Sequence, residues 1–208
     1  MKRRISVVFT AAGMSERMGR RKQLMEDSEG VSLVERSLSA YCGAGFFEIV
    51  VVVGCSGGMV SERVRGRFGE SVSIVFNPDF EKGMGTSVAA GVRSLSPLSE
   101  GCMIALADMP YMNPGVLSGI AERWSDRPDR IVAPSFGGRR GNPVLFPKEF
   151  YGELSVLSGD RGGSVVIASH MDRLELFEVG DDSVLRDIDT PEDWAAFRSG
   201  RHATKGIC

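Results

Sequence analysis

No uninterrupted apolar run in this 208-residue chain approaches the length of a membrane span, for which about 20 residues are needed. Charge of one sign is also lacking. Twenty-five Lys and Arg against 27 Asp and Glu leave a net charge of −2 and a pI of about 5.8, so no global basic field draws the chain to nucleic acid or an anionic membrane. The four cysteines, Cys42, Cys55, Cys102 and Cys208, are far apart and form no CxxC pair, which argues against a structural zinc site. The only histidines, His170 and His202, are isolated, and neither is placed as a catalytic base. The basic start Met1-Lys2-Arg3-Arg4 precedes an apolar run, Ile5 to Phe9, that is too short for the core of a signal peptide, so a cytoplasmic location is expected. Two phosphate-binding patterns are missing as well. Gly13 and Gly19 are too widely spaced for GxxxxGK[ST] and Lys22 is followed by Gln23; Gly13 has no glycine two positions on, which removes GxGxxG.

What is present is a regular alternation. Strand-like runs are Ile5–Phe9, Phe47–Val53, Val72–Phe76, Cys102–Ala107, Arg130–Ala133, Val144–Phe146 and Arg173–Val179. Helical patterns fill most of the gaps, over 32–42, 58–68, 87–98 and 113–124, the last with Val116, Leu117, Ile120 and Trp124 on one stripe. Alternating strands and helices predict right-handed crossovers and a mainly parallel sheet covered on both faces. The expected architecture is a Rossmann-like three-layer α/β/α sandwich. Ile49 to Val53 is apolar at every position, as a central strand buried on both sides requires. One domain over 1–199 is expected, with a flexible tail over 200–208.

Ligands of open parallel sheets gather beyond the carboxyl ends of the strands, so the residues that follow each strand carry the functional reading. After the first strand comes TAAGMSERMGRRK, from Thr10 to Lys22. Its small residues allow close backbone approach, Ser15 adds a hydroxyl, and Arg17, Arg20, Arg21 and Lys22 add positive charge, the combination a polyphosphate needs. A solvated basic loop is the alternative. After the third strand, NPDFEKGMGTS begins with a turn at Asn77-Pro78, and Thr86 or Ser87 is expected to cap the next helix; the segment is a second nucleotide loop or a glycine-rich turn. Asp108, in LADMP, is costly at a strand tip unless it is solvated, paired or holding a cation, and Mg²⁺ in nucleotide enzymes is held by one or two carboxylates with substrate phosphates. Gly137 to Pro143 has two arginines and favours an anion, or is a surface hairpin. In DIDTPEDW, Thr190 capping explains the later acids, but not Asp187 and Asp189 on one face of an extended segment. The run 158–163, SGDRGG, precedes a helix and carries no assigned role.

The string AAGxSxRMGxxK resembles the signature loop of the MobA-like nucleotidyltransferases, and its Ala11-Ala12-Gly13 form resembles the branch that uses CTP on molybdopterin. The NPxxxxGxxxS loop, LADMP, LxGDxG and DIDTPED follow in the family's order over roughly residues 5–198, which implies a nucleotide-binding half of about 1–112 and an acceptor-binding half of about 113–199, with the LxGDxG run on the acceptor side of the cleft. The resemblance implies a Mg²⁺-dependent transfer of CMP from CTP to the terminal phosphate of molybdopterin, with pyrophosphate released. It assigns Arg17, Lys22 and Asp108 to catalysis. Ala11, Ala12, Gly13, Ser15, Arg17, Lys22, Asn77, Gly85, Ser87 and Asp108 would bind the nucleotide, with Ala11 and Ala12 leaving room for the base. Asp108 and Asp189 would hold the metal, with Asp187 second to Asp189. Arg140, Gly141, Asn142 and Pro143 would bind the acceptor, and here Asn142 departs from the family's GxxGHP, since an amide keeps a hydrogen bond but carries no charge. A molybdenum hydroxylase receiving the product is the implied partner. Another nucleotide or phosphorylated acceptor, or a cofactor-carrying chaperone, are the alternative readings.

Overall fold

A computed structural model describes residues 3–14 and 21–199. Eight strands form one mixed sheet: β1 (Ile5–Ala11), β2 (Glu48–Val53), β3 (Ser73–Phe76), β4 (Gly101–Leu106), β5 (Ile131–Phe136), β6 (Arg139–Arg140), β7 (Val144–Pro147) and β8 (Leu174–Glu178). Their order is β3-β2-β1-β4-β7-β5-β6, with β8 also paired to β5. β3, β2, β1 and β4 run parallel, with Val8 facing Val50 on one side and Ile104 on the other. β7 enters antiparallel between β4 and β5, and β8 pairs parallel with β5. The sheet is therefore mostly parallel in a three-layer α/β arrangement, as the alternation predicted.

Helices α1 (Leu33–Cys42), α2 (Gly57–Phe68), α3 (Met84–Arg93), α4 (Pro114–Asp126), α5 (Tyr151–Leu154), α6 (Ser164–Ser169) and α7 (Pro191–Arg198) cover the two faces. The alternation of the strands decides which face each helix meets. Val7, Phe9, Val51 and Val53 point to the side of Val34, Leu38, Val60, Val64 and Trp124, from α1, α2 and α4. Val8, Val50 and Val52 point to the side of Val88, Val92, Leu154, Val166 and Ile167, from α3, α5 and α6. Because both sets are apolar, β1 and β2 are buried on both faces, the condition for a central parallel strand. None of the described helices is long and apolar enough to cross a membrane.

Local signals set the helix ends. Asn113 accepts the Gly115 N–H at 2.8 Å and is followed by Pro114 at the first helical position. Thr190 and Asp193 exchange hydrogen bonds in a capping box at the start of α7. One expectation needs correction. α3 begins at Met84, three residues before the predicted start, and its cap is Gly83, not Thr86 or Ser87. Gly83 has φ +100°, which a side chain resists, and the hydroxyl of Thr86 lies inside the first turn, 2.9 Å from the Gly83 carbonyl. The helix also stops at Arg93, before Pro97 could be included.

Candidate active site

The carboxyl ends of β1 and β4 open into a cavity of about 430 Å³. Thr10 near the end of β1 and Ala12, Gly13 and Met14 beyond it line the cavity, as do Leu106 at the end of β4 and Ala107 and Asp108 beyond that strand. Lys22 and Gln23 come from the short 3-10 turn before α1; Phe80, Gly83, Met84 and Ser87 come from the loop into α3. Asp160, Asp187 and Asp189 complete the wall.

The decisive geometry is around Lys22. Its Nζ donates to Asp108 Oδ2 at 2.9 Å, to Asp189 Oδ1 at 2.8 Å and to the Ile188 carbonyl at 2.8 Å. Residues separated by 167 positions in sequence thus meet at one point. The local cause lies in residues 187–189. Ile188 is buried against Leu33 and Trp194, and its N–H donates to the Asp108 carbonyl at 2.8 Å. With Ile188 turned into the core, the flanking Asp187 and Asp189 turn to the cavity, as the period of two predicts. Burial works to deprotonate Lys22, but the charge of Asp108 and the hydrogen bonds to Asp189 and Asp108 outweigh it, and the ammonium pKa is raised.

The cluster also fits a divalent cation. Asp108 Oδ1 is buried without a hydrogen-bond partner among the described residues, while the Lys22 ammonium already occupies a cationic place between two carboxylates and a carbonyl. An all-oxygen donor set suits a hard ion such as Mg²⁺ or Mn²⁺. Among the described residues no three His, Cys, Asp or Glu side chains converge, so the protein offers two carboxylates and leaves the remaining positions to water and phosphate.

The sequence-predicted residues fall into three groups. Ala12, Gly13, Lys22, Ser87, Asp108, Asp187 and Asp189 share the cavity wall. Ser15 and Arg17 lie outside the described residues. Ala11, Asn77, Gly85 and the 140–143 segment are not part of that wall. Asn77 is buried, and its amide donates to Thr86 Oγ1 at 2.8 Å and Ser87 Oγ at 3.0 Å, so it acts on the cavity through Ser87. Gly85 sits where an added Cβ would fall 2.7 Å from the Ser158 carbonyl oxygen. Gly137 and Gly138 both have positive φ at the β5–β6 turn, and a Cβ on Gly141 would be 2.4 Å from the Val184 carbonyl oxygen. Turn geometry and packing therefore account for those three glycines. Gln23, missed in the sequence, is buried and donates from Nε2 to the Gly13 carbonyl at 2.7 Å, which fixes the loop floor. Phe80, Met84 and Asp160 are further wall residues without an expected role.

The profile of the MobA-like NTP transferase domain matches residues 7–174. The chain belongs to this family. Among curated relatives of this MobA-like transferase, molybdenum cofactor cytidylyltransferase of Escherichia coli K12 is 28% identical over 193 residues, covering 91% of this chain and 93% of that protein. Nicotine blue oxidoreductase of Paenarthrobacter nicotinovorans is also 28% identical, over 90% of this chain and 93% of its own length. The crystal structure of Rv0371c from Mycobacterium tuberculosis in complex with manganese shares the fold, with a TM-score of 0.77 and 22% identity over 96% of this chain and 100% of that one. This MobA-like chain is a nucleotidyltransferase by family.

Proposed function

We propose that the protein transfers CMP from CTP to the terminal phosphate of molybdopterin, releasing pyrophosphate and forming molybdopterin cytosine dinucleotide. The observation that carries this reading is the convergence of Lys22, Asp108 and Asp189 at the strand ends, beside a loop of the AAGxSxRMGxxK form. The similarity to the E. coli cytidylyltransferase over nine-tenths of the chain supports the choice of nucleotide and acceptor.

In this reaction an oxygen of the acceptor phosphate forms a bond to the α-phosphorus. The bond from that phosphorus to the bridging oxygen breaks, and its electron pair leaves with pyrophosphate. The acceptor is already an anion near neutral pH, so no strong general base is needed, and the cavity wall contains no histidine or cysteine among the described residues. Catalysis is then positioning and charge neutralisation. Lys22 leaves its carboxylates to meet the phosphates, assisted by Arg17; Gly13 and Ser15 supply N–H and hydroxyl donors; Gly83 and Ser87 face the base. A Mg²⁺ ion held by Asp108 and Asp189 would neutralise the α-phosphate and the incoming oxygen. The described wall has four carboxylates, Asp108, Asp160, Asp187 and Asp189, against one ammonium, so a polyphosphate needs that added positive charge.

The test is pyrophosphate release by the full chain with CTP, Mg²⁺ and purified molybdopterin, run beside GTP and ATP. Release with CTP alone supports the assignment, and stabilisation by GTP alone contradicts it. A second reading, a different phosphorylated acceptor, rests on Asn142 standing where the family's GxxGHP segment has His; CTP binding without turnover on molybdopterin would favour it.

A further inference from the structure

The GDRG run at 159–162 fits neither helix capping nor the polyphosphate chemistry, and its place in the fold gives it a task. The loop between α5 and α6 is joined to the loop before α3 by two backbone hydrogen bonds: Gly159 N donates to the Lys82 carbonyl at 2.9 Å, and Gly85 N donates to the Gly159 carbonyl at 2.7 Å. The contact is so close that a Cβ on Gly83 would lie 2.5 Å from Asp160 Oδ1. Gly162, at φ +48°, lets the loop turn against Met84. The Asp160 carboxylate is therefore held over the Gly83–Ser87 wall of the cavity. It makes no hydrogen bond or ion pair with a described residue.

Its position excludes one part of the ligand. Asp160 belongs to the α3, α5 and α6 side of the sheet, where Val88, Leu154, Val166 and Ile167 pack. The Lys22 cluster belongs to the other side, above Leu33, Ile188 and Trp194. Lys22 is the one cation among the described wall residues, so the triphosphate lies on its side, and Asp160, with no ammonium or guanidinium partner among the described residues, faces a group with hydrogens to donate. Ser87 lines the same cavity. The Ser87 hydroxyl oxygen accepts from Asn77, which leaves its O–H to donate into the cavity. The wall thus pairs one donor, Ser87, with one strong acceptor, Asp160.

The geometry points to Asp160 as the residue that selects the base, by accepting a hydrogen bond from an exocyclic amino group of an aminopyrimidine nucleotide. This rests on the reading of the cavity as a CTP site. Cytosine offers an amino donor beside ring and carbonyl acceptors, which complements Asp160 and Ser87. Uracil places a carbonyl oxygen where cytosine has the amino group, and two acceptors then face each other.

The experiment is equilibrium binding of CTP and UTP, each with Mg²⁺, to the full-length protein and to Asp160→Asn and Asp160→Ala, by calorimetry. Removing the charge relieves repulsion of both triphosphates equally, so the CTP-to-UTP affinity ratio isolates the base. The wild type is expected to prefer CTP by about tenfold or more, the scale of one hydrogen bond to a half-solvated charged group. Asp160→Ala should bring the ratio to within about threefold, by loss of CTP affinity. Asp160→Asn should do the same with a gain for UTP, because its amide N–H can meet the uracil carbonyl. Asp160 is exposed, so both variants should keep the wild-type Tm. An unchanged ratio in both variants overturns the inference while leaving the CTP site intact. A wild type that binds GTP or ATP but neither pyrimidine nucleotide overturns the CTP reading, and this inference with it.

Discussion

Replacing Lys22 by methionine should tighten metal binding and abolish turnover at once, two effects of opposite sign from one side chain. In the nucleotide-free protein its ammonium makes three hydrogen bonds, at 2.9, 2.8 and 2.8 Å, and two of them go to the carboxylates proposed to hold the metal. A divalent ion must displace it. Hydrogen bonds to charged groups contribute about 1.5–3 kcal/mol each. The side chains of Asp108 and Asp189 retain 25% and 35% exposure, which places the pair at the lower end, about 3 kcal/mol in total. Losing it should lower the Tm of the metal-free protein by about 6–12 °C at 2–4 °C per kcal/mol for a chain of this size. The same 3 kcal/mol sets a ceiling of about a hundredfold on the gain in metal affinity. Because the displaced ammonium regains solvation, about tenfold is expected. Mn²⁺ titration followed by electron paramagnetic resonance, without nucleotide, measures the affinity, and the Tm rise with Mn²⁺ should be larger in the variant. Turnover should fall by at least about a hundredfold, since the phosphates lose a pre-organised cation. Mn²⁺ binding equal to or weaker than wild type would refute the competition between Lys22 and the metal.

Further outcomes follow from the same contacts. Asp108→Asn should cut turnover by at least about a hundredfold and weaken Mn²⁺ binding in the same titration, because the amide cannot replace the charge. Arg186 stacks 3.7 Å above the Tyr111 ring and pairs with Asp182 at 3.8 Å, one residue before the Asp187–Asp189 segment; Arg186→Ala should raise the Mn²⁺ concentration for half-maximal activity more than it raises the KM for CTP. Gly91→Ala should destabilise by about 1–3 kcal/mol in urea unfolding although alanine is the better helix former, because its Cβ would meet Val8 Cγ1 at 2.3 Å and Val52 Cγ2 at 2.9 Å. Burial opposes ionisation of Asp27, but Arg36 and the N–H groups of Glu29 and Val31 more than compensate, so its pKa is lowered. A carboxyl depressed in the folded state adds stability above its unfolded pKa and loses it as pH falls through the folded value. Asp27→Asn should therefore cost about 1–2 kcal/mol around neutral pH and nothing at pH values below the folded pKa, as read by thermal unfolding against pH.

The strands were legible because their burial is a property of composition alone: Ile49 to Val53 has no polar position, and the structure buries all five. Asp189 was legible for a related reason, since alternation puts Asp187 and Asp189 on one side whenever Ile188 is drawn into a core. The start of α3 was not. Thr86 and Ser87 are good caps by type, but Asn77, nine and ten residues earlier, donates to both hydroxyls, and a glycine at φ +100° takes the cap position. Gln23 was silent because one buried amide, bonded to a carbonyl ten residues back, leaves no periodic or compositional trace.

Gly141 and Gly83 show why glycine-rich loops resist reading from sequence. Both follow a basic residue in the segment after a strand, Lys82 and Arg140, and both suggest an anion cradle. At Gly141 the absent Cβ admits the Val184 carbonyl, so the glycine serves packing between β6 and the 182–185 turn. At Gly83 the absent Cβ admits the Gly159 carbonyl and, beside it, the carboxylate of Asp160 at the edge of the cavity, so the same residue type brings a charged group to the cavity wall. A backbone carbonyl closes on both glycines, and what separates them is the Asp160 carboxylate carried in beside Gly83; Val184 lies 43 positions from Gly141 and Asp160 lies 77 from Gly83, beyond the reach of any local motif. The proposed polyphosphate side is written in short strings because Lys22, Asp108 and Asp189 each lie next to or within a recognisable element. The proposed base side depends on two loops meeting, and only the fold brings them together.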